Sequence, residues 1–157
     1  AGSGYFTFRL SRALQQGKVI AIDIEAEMVR HIHHRVRTEG IQNIDVRLAK
    51  PDDPSVPREA DLVLICDVLH HVPNQAAWLT KVVAAMKPGA RLVLIEFKEG
   101  PLPQGPPEGM KLTRGQILDL ARQTGLTLNT ERASLLPYQT FLFFVKHGEL
   151  PAEPFRL

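Results

Sequence analysis

Two short apolar runs, Leu62-Val-Leu-Ile-Cys66 and Arg91 to Phe97, flank a helix-like segment, and neither alternates polar with apolar residues. A strand that is apolar at successive positions is covered on both faces, the situation of a mainly parallel sheet flanked by helices. The rest of the chain fits that alternation. Tyr5 to Gln16 carries Phe6, Leu10, Ala13 and Leu14 at helical spacing and stops at Gly17. Val19 to Ile24 is a short apolar strand, Glu25 to Glu39 places Met28, Ile32 and Val36 on one helical face, and Ile44 to Leu48 is the next strand. Asn74 to Met86 reads as helix and Lys87-Pro-Gly89 as a turn. Glu99 to Gly109 is rich in Pro and Gly, and is expected to be a mobile loop or lid. Thr113 caps a helix running to Thr124. The strands Thr127 to Ser134 and Gln139 to Lys146 then close the sheet as an antiparallel hairpin, since the link between them is short.

Composition narrows the classes. The 157 residues, 44% hydrophobic, support one sizeable core, so a single domain over residues 1–148 with a tail at 149–157 is expected. Lys plus Arg number 19 against 17 Asp plus Glu, spread without a basic run, which points away from nucleic acid as partner. No apolar stretch reaches the ~18 residues of a membrane span. The lone Cys66 sits inside an apolar run and is expected to be a reduced, buried thiol, which suits the cytoplasm, with an upstream targeting segment left open.

Chemistry is concentrated at strand ends. Gly2-Ser-Gly4 opens the first helix, and Asp23 closes the strand Val19 to Ile24. In open α/β sheets a glycine turn lets the backbone approach a ligand, while an acidic residue at the second strand end takes ribose hydroxyls. The strand that would feed Gly2 is expected to precede Ala1. The Gly-x-Gly-x-x-Gly pattern of dinucleotide sites needs a small residue where this chain has Thr7 or, one register earlier, Tyr5, so a diphosphate reader is disfavoured. Asp67, His70 and His71 follow the run 62–66, at the edge where ligands of such sheets lie. His31, His33 and His34 share a helix without a further ligand at metal-site spacing and read as a solvated cationic face, so no metal is expected.

Taken in order, Gly2-Ser-Gly4, Asp23, the segment Asp61-Leu-Val-Leu-Ile-Cys-Asp-Val-Leu-His-His-Val72, the Met86-Lys-Pro-Gly89 turn before an apolar strand and the terminal hairpin resemble a class I S-adenosylmethionine-dependent methyltransferase. Within that superfamily the chain is most similar to the ubiquinone/menaquinone-biosynthesis group. The resemblance implies a Rossmann-like, doubly wound α/β fold with a C-terminal antiparallel hairpin, its first strand outside this chain. It further implies S-adenosylmethionine as cofactor and methyl transfer to oxygen or carbon, less readily nitrogen, of a small molecule. Gly2, Ser3, Gly4 and Asp23 would hold the cofactor, with Ile24 and Met28 against the adenine, Asp52 or Asp53 near its amine, and Asp67 after the fourth strand. His70 or His71 would take a proton from substrate, and Tyr5, Tyr138 and the loop 99–109 would face it. Two other classes compete: a non-catalytic cofactor-binding or interaction domain, and a nucleotide-dependent oxidoreductase, which the glycine spacing opposes. Substrate identity and oligomeric state are not legible in the sequence.

Overall fold

A computed structural model describes residues 1–58 and 60–146. The chain divides into two compact units, Ala1–Ser55 and the part from Val56 onward.

The first unit runs α1 (Tyr5–Ala13), β1 (Val19–Asp23), α2 (Ala26–Thr38) and β2 (Ile44–Leu48). α1 ends earlier than its apolar spacing suggests, because Leu14 is already extended, with ψ 124°. β1 and β2 pair in parallel from Val19↔Ile44 to Asp23↔Leu48, as expected for strands joined by a crossover helix. Phe8, Ala21, Ile32 and Ile44 form the buried core of this unit. At the opposite strand ends, Ser11 Oγ donates to Asn43 Oδ1 at 2.6 Å, and Asn43 Nδ2 donates back to the Ser11 carbonyl at 2.9 Å. That reciprocal pair fastens the end of α1 to the residue before β2 and leaves neither buried polar group unpaired.

The second unit contains β3 (Leu62–Cys66), α3 (Gln75–Ala85), β4 (Arg91–Phe97), α4 (Arg114–Gln123), β5 (Leu126–Arg132) and β6 (Gln139–Lys146). Its sheet has the order β3-β4-β6-β5, with β3 parallel to β4 and both pairings of β6 antiparallel. The terminal hairpin is therefore present, and β6 lies between β4 and its own hairpin partner. A bulge between Leu128 and Thr130 shifts the β5–β6 register. Asn74 caps α3 by accepting from the Ala77 N–H, and Thr113 with Gln116 forms a reciprocal capping box on α4. One face of the sheet, through Ile65, Leu92, Leu94, Leu142 and Phe144, buries against Leu79, Val82 and Val83 of α3 and Ile117 and Ala121 of α4. Period-two alternation puts Glu96 on the same face as Leu92 and Leu94.

The loop 99–109 ends in a short 3-10 turn at Glu108–Met110. It is tied at its neck: Glu108 accepts from the Gly100 N–H at 2.9 Å and pairs with Lys111 at 3.0 Å. Gly105, at φ 127°, lies so close to Phe97 that a Cβ there would stand 2.8 Å from the ring. The expected tail at 149–157 lies outside the described residues. Among those described, no helix is long and apolar enough to cross a membrane.

Candidate functional site

In the first unit the glycine turn and the end of β1 meet. Gly2 and Gly4 have φ 55° and 90°, the left-handed region that side chains avoid. Gly4 precedes α1 directly, and a Cβ there would fall 2.5 Å from Phe8 Cε2, whereas one at Gly2 would meet open space. The Asp23 carboxylate accepts from the Gly2 N–H at 2.7 Å on Oδ2 and from the Glu25 N–H at 2.9 Å on Oδ1. Glu25, not Asp23, occupies the N-cap of α2, and no side chain caps that helix. Asp23 thus serves the strand end and the glycine turn.

The Gly2 and Glu25 N–H groups fill one acceptor position on each oxygen of a carboxylate that offers about four, and a second position on Oδ1 is left open. Ile24 and Leu48, which follow and close the two strands, are 51% and 58% exposed. Exposed apolar side chains beside a carboxylate at the carboxyl ends of parallel strands suit a nucleoside, with its flat base and its hydroxyls. S-Adenosylmethionine fits these residues. Leu48 is absent from the sequence-based site. Its signal was its place at the end of β2, level with Asp23 in the parallel register.

The other expected cofactor residues of this unit are less committed. Met28 is half-buried on α2. Ser3, Gly4 and Tyr5 line a hollow of about 300 Å³ with Arg9 and Arg12, and the Arg9 guanidinium stacks 3.7 Å above the Tyr5 ring. Asp53 accepts from the Ser55 N–H at 2.9 Å and donates its own N–H to the Lys50 carbonyl, so it builds the turn, and Asp52 is exposed beside it. His31, His33 and His34 are all exposed, the last two with Arg30 and Arg37 along a groove of about 500 Å³ on α2.

In the second unit, Asp67, His70 and His71 lie together beyond β3. Leu69–His71 forms a 3-10 turn, and Glu96 reaches it from β4. Glu96 Oε1 accepts from the Leu69 N–H at 2.7 Å and the His70 N–H at 3.4 Å, while Oε2 lies 2.7 Å from His70 Nδ1. A carboxylate oxygen only accepts, so with Glu96 ionised the ring proton sits on Nδ1. Both side chains are nearly inaccessible, at 2% and 1%. A carboxylate this deep requires paired donors, and all of its donors come from one turn. Glu96 therefore fixes the height of the turn and the plane of the His70 ring. His71 is exposed, with its ring centroid 4.1 Å from that of His70, and Phe97 meets His70 edge-on at 6.0 Å.

Asp67 adopts φ 52°, one of two non-glycine residues in that region among those described. Its N–H donates to the Ile95 carbonyl at 2.9 Å, extending the β3–β4 ladder by one residue. Oδ2 accepts from Gln139 Nε2 at 3.3 Å, and Oδ1 is buried with no hydrogen-bond partner. Burial pushes the Asp67 carboxyl above its ordinary value, against the hydrogen bond from Gln139 and the nearby His70 and His71. Burial also pushes the Cys66 thiol up to about 12, helped by the charge of Asp67, so this thiol is not a nucleophile.

A raised folded-state pKa means that the stability Asp67 contributes is complete below its ordinary value of 3.8 and is lost as pH rises through the higher folded value. Asp67→Asn removes that titration. The variant is expected to unfold at higher urea than the parent at pH 7, with the difference closing at about pH 3.5. A parent that is the more stable of the two at pH 7 would contradict the direction.

A family model described as a methyltransferase domain matches residues 1–92, more than half of the chain. A demethylmenaquinone methyltransferase of Lactiplantibacillus plantarum is 32% identical over 102 residues, covering 62% of this chain and 43% of that protein. A ubiquinone/menaquinone biosynthesis C-methyltransferase of Hydrogenovibrio crunogenus is 31% identical over 101 residues, covering 62% and 40%. The chain thus spans less than half the length of these curated relatives. Among solved structures, an S-adenosylmethionine-dependent methyltransferase from Aquifex aeolicus superposes with a TM-score of 0.83 at 22% identity, over 92% of this chain and 77% of that one. With its glycine turn, acidic strand end and terminal hairpin in the order the family requires, the chain belongs to the class I S-adenosylmethionine-dependent methyltransferases, and resembles among them the ubiquinone/menaquinone-biosynthesis group.

Proposed function

We propose that this chain forms the catalytic domain of an enzyme that methylates oxygen or carbon, less readily nitrogen, of a small molecule. The observation that carries the reading is the carboxylate of Asp23, held at the carboxyl end of β1 by the glycine turn with an acceptor position on Oδ1 open. S-Adenosylmethionine supplies an electrophilic methyl group on a sulfonium. Asp23 takes a ribose hydroxyl, Ile24, Leu48 and Met28 give the adenine apolar surface, and the turn of Gly2, Ser3 and Gly4 brings its backbone to the cofactor, Gly2 without a side chain in the way. Asp52 and Asp53 stand near the adenine amine, with Asp53 chiefly shaping its turn. Such a transfer depends mainly on holding nucleophile and methyl in line, so no elaborate acid–base array is required. Of the two candidates His70 and His71, the exposed imidazole of His71 accepts the proton that the substrate gives up, while His70, buried and oriented by Glu96, positions the ring of His71 packed against it. The relative named a C-methyltransferase favours carbon as the methyl acceptor.

Asp23→Ala is expected to weaken S-adenosylhomocysteine binding by about 1–3 kcal/mol, the worth of a hydrogen bond to a charged acceptor. Titration calorimetry on the folded variant measures it. An unchanged dissociation constant would leave Asp23 as a brace for the glycine turn alone.

A further inference from the structure

We propose that the hollow between α1 and α2, beside the glycine turn, binds a phosphate group, carried free or as the monoester of a small molecule. Arg9 and Arg12 of α1 and Arg35 of α2 line this hollow of about 300 Å³, together with Gly4, Tyr5 and Phe8. Arg9 and Arg12 stand one helical turn apart and so share a flank of α1, and Arg35 joins them from the neighbouring helix. The site lies within the first unit. It goes beyond methyl transfer and does not depend on it.

Three guanidiniums gather here with one carboxylate to answer them. Glu39 pairs with Arg35 at 2.8 Å but reaches Arg12 only at 3.9 Å, beyond hydrogen-bond distance, and Arg9 enters no ion pair among the described residues. Like charges one turn apart on a helix repel, so the fold carries a cost here that a bound anion removes. Two positive charges are left over once Glu39 is counted. A carboxylate would balance half of that excess, whereas a phosphate group, at about −1.5 to −2 near pH 7, matches it.

Two of the forks are held in place in advance. The Arg9 guanidinium lies 3.7 Å over the Tyr5 ring and donates Nη1–H to the Tyr5 carbonyl at 3.0 Å. Arg35 lies 3.8 Å over the Phe8 ring and donates Nε–H to Glu39 at 2.9 Å. Stacking fixes the plane of a guanidinium and leaves its edge for the paired N–H bonds that phosphate oxygens accept. Phe8 belongs to the buried core of the unit, so the platform under Arg35 is rigid. The other cationic groove, on the outer flank of α2, draws all its lining from that one helix and has no such convergence. Phosphate in the hollow bridges α1 to α2, and so braces the helix that Gly4 opens against the helix that follows Asp23.

The test is an NMR titration of the chain, labelled at arginine Nε, with inorganic phosphate, with glycerol phosphate and, at matched ionic strength, with sodium chloride. At least one phosphate is expected to move the Arg9 and Arg12 resonances saturably, and to bind about tenfold or more weakly to the double variant Arg9→Gln, Arg12→Gln. Both side chains are exposed, so this variant keeps the fold. Tighter binding of inorganic phosphate marks a site for the free ion, and tighter binding of glycerol phosphate a site for a monoester; either supports the proposal. Equal shifts from chloride, binding of neither phosphate, or unchanged phosphate affinity in the double variant would each overturn it. So would movement of both arginines by S-adenosylhomocysteine and by neither phosphate, which would assign them to the carboxylate of the cofactor.

Discussion

Glu96→Ala is expected to lower the stability of the protein by about 2–6 kcal/mol, because the Leu69 N–H and His70 Nδ1 are each left buried without an acceptor, at ~1–3 kcal/mol apiece. Against a total of ~5–15 kcal/mol for a domain, this variant approaches the limit of folding. Glu96→Gln is expected to be the milder change. Its amide oxygen still accepts from Leu69, and its NH₂ group donates to Nδ1 once the ring shifts its proton to Nε2. Urea unfolding gives the ranking, and ring nitrogen shifts of His70 report the tautomer. A loss below ~1 kcal/mol in Glu96→Ala would mean that the 3-10 turn holds without this carboxylate. The same ring shifts, unchanged between parent and Glu96→Gln, would show that Glu96 does not set the imidazole.

Gly4→Ala is the second large effect, expected at roughly 2–6 kcal/mol. A left-handed backbone costs an alanine about 1–3 kcal/mol, and displacing the Phe8 ring, which a Cβ would meet at 2.5 Å, adds an overpacking cost of similar size. Phe8 is 4% exposed and belongs to the core of Ala21, Ile32 and Ile44, so it has little room to yield. Gly2→Ala is the control. Its backbone is also left-handed, but a Cβ there meets nothing within 4 Å, so a loss of only ~1–2 kcal/mol is expected. Equal losses at the two glycines would show that the contact with Phe8 carries no weight.

The fold was largely legible in the sequence because its signals are local. The run Arg91 to Phe97 announces a strand covered on both faces, Leu62 to Cys66 announces a strand of which only Ile65 is buried, Thr113 with Gln116 announces a helix start, and Leu135-Leu-Pro-Tyr138 announces a hairpin. Helix α1 was less legible: it stops at Ala13, and the face it buries is Thr7, Phe8 and Ser11 rather than the expected Phe6, Leu10, Ala13 and Leu14. Of the site, the positions of Gly2, Gly4 and Asp23 followed from order and spacing. What each side chain bonds to did not. Glu96 is the clearest case. It sits in an apolar strand, and its partners Leu69 and His70 are brought to it only by the pairing of β3 with β4. A lone acidic residue inside Leu92-Val-Leu-Ile-Glu-Phe97 was the available signal, because a buried charge must find a partner. The left-handed backbone of Asp67 and the orphaned Oδ1 had no sequence signal. Nor did the partner of its other oxygen, Gln139, which lies in a distant strand.

The central claim is that the glycine turn and Asp23 form a nucleoside site for S-adenosylmethionine rather than for a dinucleotide. Calorimetric titration of the chain with S-adenosylhomocysteine and, separately, with NAD tests it most directly. The account predicts saturable one-to-one binding of S-adenosylhomocysteine, weakened by Asp23→Ala, and no heat of binding with NAD. Tight NAD binding with none for S-adenosylhomocysteine would contradict it.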